Sequence, residues 1–135
     1  MSNNATYSIF IEKIFQKEPR SLIHFFHDST FLKLTGANFI VNNFIQNGIF
    51  CLTFTNRGII RGKYISISDQ SIILDWNVEG FSRPDESNTL VEIFLTKVSD
   101  NCKFTLRHSN IHNQEAALAK EKAWSSILNE FEKIL

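Results

Sequence analysis

The sequence predicts an α+β fold in which a seven-stranded, curved antiparallel sheet wraps a long C-terminal helix, with two short helices after the first strand. Three observations lead to this prediction. Apolar residues alternate with a period of two through most of residues 38–108, which is typical of strands. Short polar connections separate these segments, and they favour antiparallel neighbours because a parallel crossover needs about a dozen residues. An apolar stripe with helical spacing follows in residues 113–135.

The first strand and the two short helices are predicted in residues 6–36. Thr6–Ile14 alternates and is rich in Tyr, Ile and Phe, as half-buried strands are. Pro19 suits the first turn of a helix, which we expect to end near His27-Asp28. Ser29 is predicted to cap a second short helix that ends at Gly36.

Six further strands are predicted between residues 38 and 108. They are Phe39–Ile45, Ile49–Thr55, Ile59–Ile67, Ser71–Asn77, Thr89–Val98 and Cys102–His108. Asn, Asp, Ser and Gly fill the connections, as turn chemistry requires. Gly62 interrupts the alternation of its strand and suggests a bulge where the sheet bends. The segment Glu79–Asn88, with Gly80 and Pro84, is predicted to be a longer loop.

The C-terminal segment Asn113–Leu135 is the clearest helix, and at about 22 residues it would be roughly 33 Å long. Its predicted apolar stripe is Ala117, Trp124, Leu128, Phe131 and Leu135, widened by Ile127 and Ile134. The residues predicted to face away from the sheet are Lys120, Glu121, Lys122, Glu130 and Lys133. The stripe must cover the apolar face of the sheet, because nothing else in the sequence is large enough to do so.

Length and composition predict one domain over residues 1–135 and narrow the possible functions. The chain has 14 basic and 14 acidic residues, whereas a nucleic-acid-binding protein normally has a basic surplus or stripe, so we expect no nucleic-acid partner. The N-terminus has no signal-peptide pattern, and no apolar run reaches the roughly 18 residues of a membrane span. We therefore expect a cytoplasmic protein without membrane insertion. Cys51 and Cys102 are expected to be free thiols.

Residues capable of metal binding or catalysis are present but do not form a recognisable motif. The spacings of His24 with His27 and of His108 with His112 match no set of three or four converging ligands, so no metal or other cofactor is predicted. The carboxylates Asp75 and Glu92 fall on the outer face of the sheet. We expect them to pair there with basic residues, namely Arg61, Lys63 or Arg107. No catalytic residue is predicted.

A resemblance to a known family rests on motifs that run through the whole chain. They are Lys17-Glu18-Pro19-Arg20 with Leu22, Asn47-Gly48-Ile49-Phe50, the segment Gly62–Ile67, Ile72-Ile73-Leu74-Asp75-Trp76, Phe104-Thr105-Leu106-Arg107-His108-Ser109, and Ala123-Trp124 with Leu128, Phe131 and Leu135. In this order they resemble the START-like (SRPBCC) helix-grip superfamily, and within it the group related to the C-terminal domain of the Hsp90 ATPase activator. The resemblance implies the helix-grip fold and a space between the long helix and the sheet.

The wide apolar face of the sheet favours a binding protein for a small hydrophobic or aromatic ligand, held between the C-terminal helix and the sheet. The predicted lining residues are Phe50, Phe54, Tyr64, Trp76, Val91, Phe104, His108, Trp124 and Leu128. A core filled by Phe side chains is the alternative, and a cavity above about 300 Å³ would favour ligand binding.

The resemblance also suggests two other roles. The first is a protein-interaction module that binds an Hsp90-type chaperone through a surface patch formed by Phe94 and the loop Glu79–Asn88. An enzyme of the cyclase or lyase type comes third, with Tyr64 and His108 as the inward polar candidates. The oligomeric state is expected to be monomer or homodimer.

Overall fold

The computed structural model of the protein describes residues 5–82 and 84–135. Residues 1–4 of the N-terminal segment and Arg83 of the predicted loop lie outside the described residues. The elements are β1 (Tyr7–Phe15), α1 (Pro19–His27), α2 (Thr30–Lys33), β2 (Phe39–Asn42), β3 (Ile49–Phe54), β4 (Gly58–Ile67), β5 (Ser71–Glu79), β6 (Glu86–Val98), β7 (Asn101–Ile111) and α3 (Gln114–Ile134).

All seven strands form one open antiparallel sheet in the order β1-β7-β6-β5-β4-β3-β2. Strands β2 to β7 follow one another as hairpins. The turns between them contain Asn47, Asn56 and Ser99, which adopt φ values of 65°, 62° and 54°. Asn tolerates this left-handed backbone better than most residues, which explains the turns at Asn47 and Asn56. The predicted fold class is confirmed.

The inner face of the sheet carries the apolar positions that the alternation predicts. Phe50, Leu52, Ile72, Val91 and Phe104 are at most 1% exposed. They join the buried residues of α1, α2 and α3 in one apolar core. Among the described residues, no helix combines the length and apolarity that crossing a bilayer requires.

Helix α3 begins after Asn113, whose side-chain oxygen accepts a hydrogen bond from the backbone N–H of Ala116 at 3.0 Å. Its buried face contains Trp124, Leu128 and Phe131, as predicted, but also Lys120, which is only 8% exposed. The prediction that Lys120 faces away from the sheet is therefore wrong. The position lies four residues before Trp124, on the same helical face, and its ammonium group is neutralised by a partner on β6.

Two local predictions also need correction. Ser29 does not cap α2 with its side chain; the carboxylate of Asp28 accepts from the backbone N–H of Thr30 at 2.9 Å instead. The register of β4 shifts between Tyr64 and Ser66 and not at Gly62. At Gly62 a Cβ atom would collide with the backbone and side chain of Asp75, so the glycine permits close approach of the two strands.

Candidate ligand pocket

Aromatic side chains fill the space between α3 and the strands β1 and β7. The Phe15 ring lies 5.6 Å from that of Phe104 and 5.4 Å from that of Phe131, both edge to face. Phe31 of α2 contacts Phe131 in the same geometry at 5.2 Å. Edge-to-face contacts at these distances are the packing that aromatic pairs prefer, so this part of the groove is a filled core.

A pocket of about 210 Å³ remains at the other end of the groove, between the first half of α3 and strands β3 to β5. It is lined by Thr35, Phe54, Arg57, Ile60, Trp76, Val78, Phe81, Ala119, Lys120, Ala123, Trp124 and Ile127. Pockets for drug-sized ligands usually measure roughly 300–1,000 Å³. The volume is below that range, and it suits one ring system with a short substituent.

Four aromatic rings form the walls of this pocket. Trp76 of β5 and Trp124 of α3 lie 5.0 Å apart between ring centroids, and both are almost fully buried. Phe54 of β3 contacts Phe81, which follows β5, at 5.5 Å. Flat apolar walls of this kind favour a flat apolar ligand, because stacking adds to the free energy of surface burial.

A buried polar network lies behind the tryptophan wall and determines the tautomer of His108. The indole Nε1–H of Trp124 can only donate, so His108 Nδ1 accepts its hydrogen bond at 3.0 Å. The proton of His108 is therefore on Nε2 and is donated to Thr89 Oγ1 at 2.9 Å. The hydroxyl of Thr89 then donates to the backbone carbonyl of Trp76.

His108 is held neutral by this environment. Burial is the main cause that lowers its pKa to about 3, and the positive charge of Lys120 adds to the effect. Both ring nitrogens already have partners in the network. The imidazole therefore stiffens the pocket wall and has no free nitrogen with which to take a proton from a ligand.

Lys120 and Glu86 form a nearly buried ion pair at one side of the pocket. The ammonium nitrogen lies 2.6 Å from Glu86 Oε1, and the two side chains are 9% and 11% exposed. The second carboxylate oxygen, Oε2, is buried without a hydrogen-bond partner among the described residues. A buried pair of this kind depends strongly on both partners, since either charge alone would be left uncompensated.

Arg57 is the second cation of the lining. It lies in the turn between β3 and β4, where its backbone N–H donates to the carbonyl of Phe54 at 2.9 Å. Its guanidinium carbon lies 5.9 Å from the centre of the Phe54 ring, within the range of a cation–π contact. Within residues 5–82 and 84–135 the guanidinium has no carboxylate partner.

The predicted lining residues are divided between the pocket and the core. Phe54, Trp76 and Trp124 line the pocket. Tyr64 and Val91 border a gap of only about 10 Å³ that is lined also by Trp76 and Trp124. The remaining predicted residues are packed in the core and do not line the pocket: Phe50, Phe104, His108 and Leu128. Ligand binding by any of the nine stays a prediction.

Tyr64 points inward, a direction that the sequence left open. Its hydroxyl donates to Asn42 Oδ1 at 2.7 Å, and Asn42 Nδ2 donates to the carbonyl of Phe26 at 2.8 Å. Burial raises the pKa of Tyr64 well above its usual value. The side chain is thus a neutral hydrogen-bond donor that fastens β4 to β2 and α1.

Sequence reasoning missed most of the polar and loop-borne part of the lining. The sequence predicts a loop at Phe81 and a Lys120 that faces away from the sheet, and it gives no indication that Arg57 lines a pocket. The one available signal was spacing: Lys120 lies three residues after Ala117 and four before Trp124, both in the predicted stripe.

Other residues considered for chemistry have structural partners. Asp75 accepts from the backbone N–H of Lys63 at 2.8 Å, and Arg61 pairs with Glu79 at 2.7 Å. Among the described residues neither Asp75 nor Glu92 forms the expected ion pair with Arg61, Lys63 or Arg107, so that prediction is wrong. Both cysteines are free, and burial raises the pKa of Cys102 to about 11. Within the described part of the chain, no three His, Cys, Asp or Glu side chains cluster as metal ligands would.

Comparison with known proteins supplies a family match. The sequence model of the family described as "Activator of Hsp90 ATPase homolog 1-like protein" matches residues 52–135, which is more than half of the chain. The matched part extends from β3 to the end of α3 and so contains most of the pocket lining. No curated protein sequence matched the chain.

Several solved structures have the same fold over nearly their full length. A Rhizobium loti protein matches with a TM-score of 0.81 and 16% identity, over 97% of this chain and 98% of its own. An HSP90 activator from Plasmodium falciparum matches with a TM-score of 0.74 and 23% identity, over 94% of both chains. The Aha1 dimer from Colwellia psychrerythraea, solved in solution, matches with a TM-score of 0.78 and 17% identity, over 96% of both. At such identities the likeness establishes the fold and not a function.

Proposed function

This chain belongs to the family of Activator of Hsp90 ATPase homolog 1-like proteins, and we propose that it binds a small aromatic molecule between α3 and the sheet. The observation that carries the proposal is the pocket walled by Phe54, Trp76, Phe81 and Trp124. Close packing is the rule for a domain interior, so an open, ring-lined space beside a filled aromatic core is typical of a binding site.

The size and walls of the pocket define the ligand class. About 210 Å³ admits one or two fused rings and excludes a long acyl chain. A ligand of about ten non-hydrogen atoms, at roughly 0.3 to 0.8 kcal/mol per atom, would bind with a Kd between micromolar and millimolar. The partner we propose is therefore a metabolite-sized ring compound rather than a lipid.

A variant that fills the pocket tests this function. Ala119 lines the pocket and is half-buried, so Ala119→Phe places a ring inside it. Ser126 lies on the exposed side of the same helix, which makes Ser126→Phe a matched control. We expect 2-naphthamide and related neutral aromatics to raise the Tm of the wild type and of Ser126→Phe, since a ligand of the native state stabilises it.

The expected Tm shift disappears in Ala119→Phe, provided that circular dichroism shows the variant to be folded. An equal shift in Ala119→Phe would place the ligand elsewhere. The absence of any shift in the wild type across a broad aromatic panel, checked by calorimetry at millimolar ligand, would refute the proposed function.

Interaction with an Hsp90-type chaperone is a second candidate, favoured by the family description and by the Plasmodium neighbour named as an HSP90 activator. Phe94 of β6 and Phe10 of β1 are 41% and 62% exposed on the outer face of the sheet. Exposed apolar side chains of this kind are typical of contact surfaces.

A pull-down with the chaperone of the host, combined with its ATP turnover, tests the second candidate. We expect Phe94→Ser to weaken the complex and Ala119→Phe to leave it intact, because Phe94 is on the outer face of the sheet and Ala119 is on α3, which covers the inner face. A complex that Phe94→Ser does not weaken would contradict this surface, and no complex with the wild type would remove the candidate.

Because one structural neighbour is described as a dimer, we propose a homodimer of this chain as the alternative to a monomer. Light scattering after size exclusion distinguishes the two states. A catalytic role receives less support, since His108 has both ring nitrogens engaged and Tyr64 is fastened to Asn42.

A further inference from the structure

The charges of the pocket lining all have the same sign. Arg57 and Lys120 are the charged residues among the lining side chains within the described chain, and that lining contains no Asp or Glu. Apolar ring walls with positive charge at one side favour a ligand that is flat and negatively charged. Complementary charge of this kind sets orientation and specificity in binding sites.

Only one of the two cations is free to meet a ligand. The ammonium group of Lys120 is nearly buried and lies 2.6 Å from the carboxylate of Glu86, so its charge is already balanced. Arg57 is exposed, and its guanidinium has no carboxylate partner in the described residues. The described lining therefore has one uncompensated positive charge, and it belongs to an exposed residue.

The backbone of Arg57 is held by its turn. Asn56 adopts φ 62°, the backbone N–H of Arg57 donates to the carbonyl of Phe54, and the guanidinium lies over the Phe54 ring. A ring bound against Phe54 and Trp76 would place a short acidic substituent beside the guanidinium. A planar guanidinium binds a carboxylate through two parallel hydrogen bonds.

We propose that the ligand of this pocket is an aromatic carboxylate whose ring lies among Phe54, Trp76, Phe81 and Trp124 and whose carboxylate is bound by Arg57. This inference rests on the proposed function, and it adds the charge of the ligand and the residue that recognises it.

Two isosteric probes distinguish the contribution of the ligand's negative charge to affinity from that of its ring. 2-Naphthoate and 2-naphthamide share a fused ring and differ in one charged group. Calorimetric titration of the full chain in low salt is expected to show that 2-naphthoate binds about tenfold more tightly, which corresponds to roughly 1.4 kcal/mol. The preference is expected to shrink in 0.5 M NaCl, because an exposed ion pair is screened.

Arg57→Gln is expected to abolish the preference, so that 2-naphthoate and 2-naphthamide bind the variant with equal affinity. Arg107 lies exposed on β7 outside the pocket, and Arg107→Gln is the matched control that keeps the preference. Equal affinities of the two probes for the wild type, or a preference that persists in Arg57→Gln, would refute the carboxylate inference and leave the aromatic pocket standing. Failure of both probes to bind the wild type would refute the proposed function itself.

Discussion

Thr89 holds the polar network behind the pocket together, and its replacement by valine isolates the contribution of that network. Thr89 and His108 are both 0% exposed. Valine has nearly the shape of threonine, so Thr89→Val opens no cavity. It removes the acceptor of His108 Nε2–H and the hydroxyl donor to the Trp76 carbonyl, and it leaves the buried imidazole N–H without a partner.

The size of the effect follows from the loss of both hydrogen bonds. A buried polar group left without a partner costs about 1–3 kcal/mol and an ordinary hydrogen bond contributes about 0.5–1.5 kcal/mol, so the free energy of unfolding is expected to fall by about 2–4 kcal/mol. Because a typical domain has only about 5–15 kcal/mol in total, the change would be easy to measure. Urea unfolding at neutral pH, monitored by circular dichroism, measures this difference in the free energy of unfolding.

Two further variants serve as controls for Thr89→Val. Thr105 is half-buried on β7, and its hydroxyl makes only a 3.5 Å contact with the Phe94 carbonyl, so Thr105→Val is expected to change stability by less than about 0.5 kcal/mol. Thr89→Ser retains the hydroxyl and is expected to lose only about 1 kcal/mol for its methyl group. A loss below about 0.5 kcal/mol in Thr89→Val would refute the assignment of hydrogen bonds around His108.

Further predictions concern the charged groups beside the pocket. Because His108 is held neutral, the stability of the fold depends on pH. Its pKa is about 3 in the folded protein and about 6.5 in the unfolded chain, so between these values the unfolded chain binds one more proton. The free energy of unfolding therefore falls as the pH decreases from about 6.5 towards 3. Between pH 7 and pH 5, His108 alone is expected to lower the free energy of unfolding by roughly 2 kcal/mol. Urea unfolding of the wild type and of His108→Gln at both pH values measures this contribution, and an identical pH dependence of the two proteins would contradict it. Lys120→Met leaves the Glu86 carboxylate nearly buried and unpaired, and we expect the free energy of unfolding to fall by about 3–5 kcal/mol. In thermal unfolding, the double variant Lys120→Met/Glu86→Gln is expected to recover a large part of this loss. A double variant no more stable than Lys120→Met would show that the unpaired charge is not the cause of the loss.

The strands and the long helix could be predicted because local chemistry and global fold agree in this chain. Asn47 and Asn56 occur where hairpin turns need a left-handed backbone, and Asn113 occurs where α3 needs a cap. Alternation assigned the inner face of β3, β5, β6 and β7 correctly. These features depend on residues close together in the sequence, and sequence patterns contain that information.

The pocket could be predicted only in part, because its limits depend on contacts between residues far apart in the sequence. The sequence predicts that Trp76 and Trp124 line a space between the C-terminal helix and the sheet. Phe104 belongs to the filled part because its ring contacts rings of β1, α2 and α3, which meet only in the folded chain. The burial of Lys120 depends on Glu86, which is 34 residues away in sequence, so its charge alone suggested an exposed position.

The two tryptophans of the chain both line the pocket, and they offer the most direct test of ligand binding between α3 and the sheet. In a 1H–15N NMR titration of the labelled chain with 2-naphthamide, we expect the indole N–H signals of Trp76 and Trp124 to shift together and saturate with one Kd. In Ala119→Phe neither signal should move. Shifts confined to the outer face around Phe94, or indole signals that stay unchanged in the wild type at saturating ligand, would contradict a binding site in this pocket.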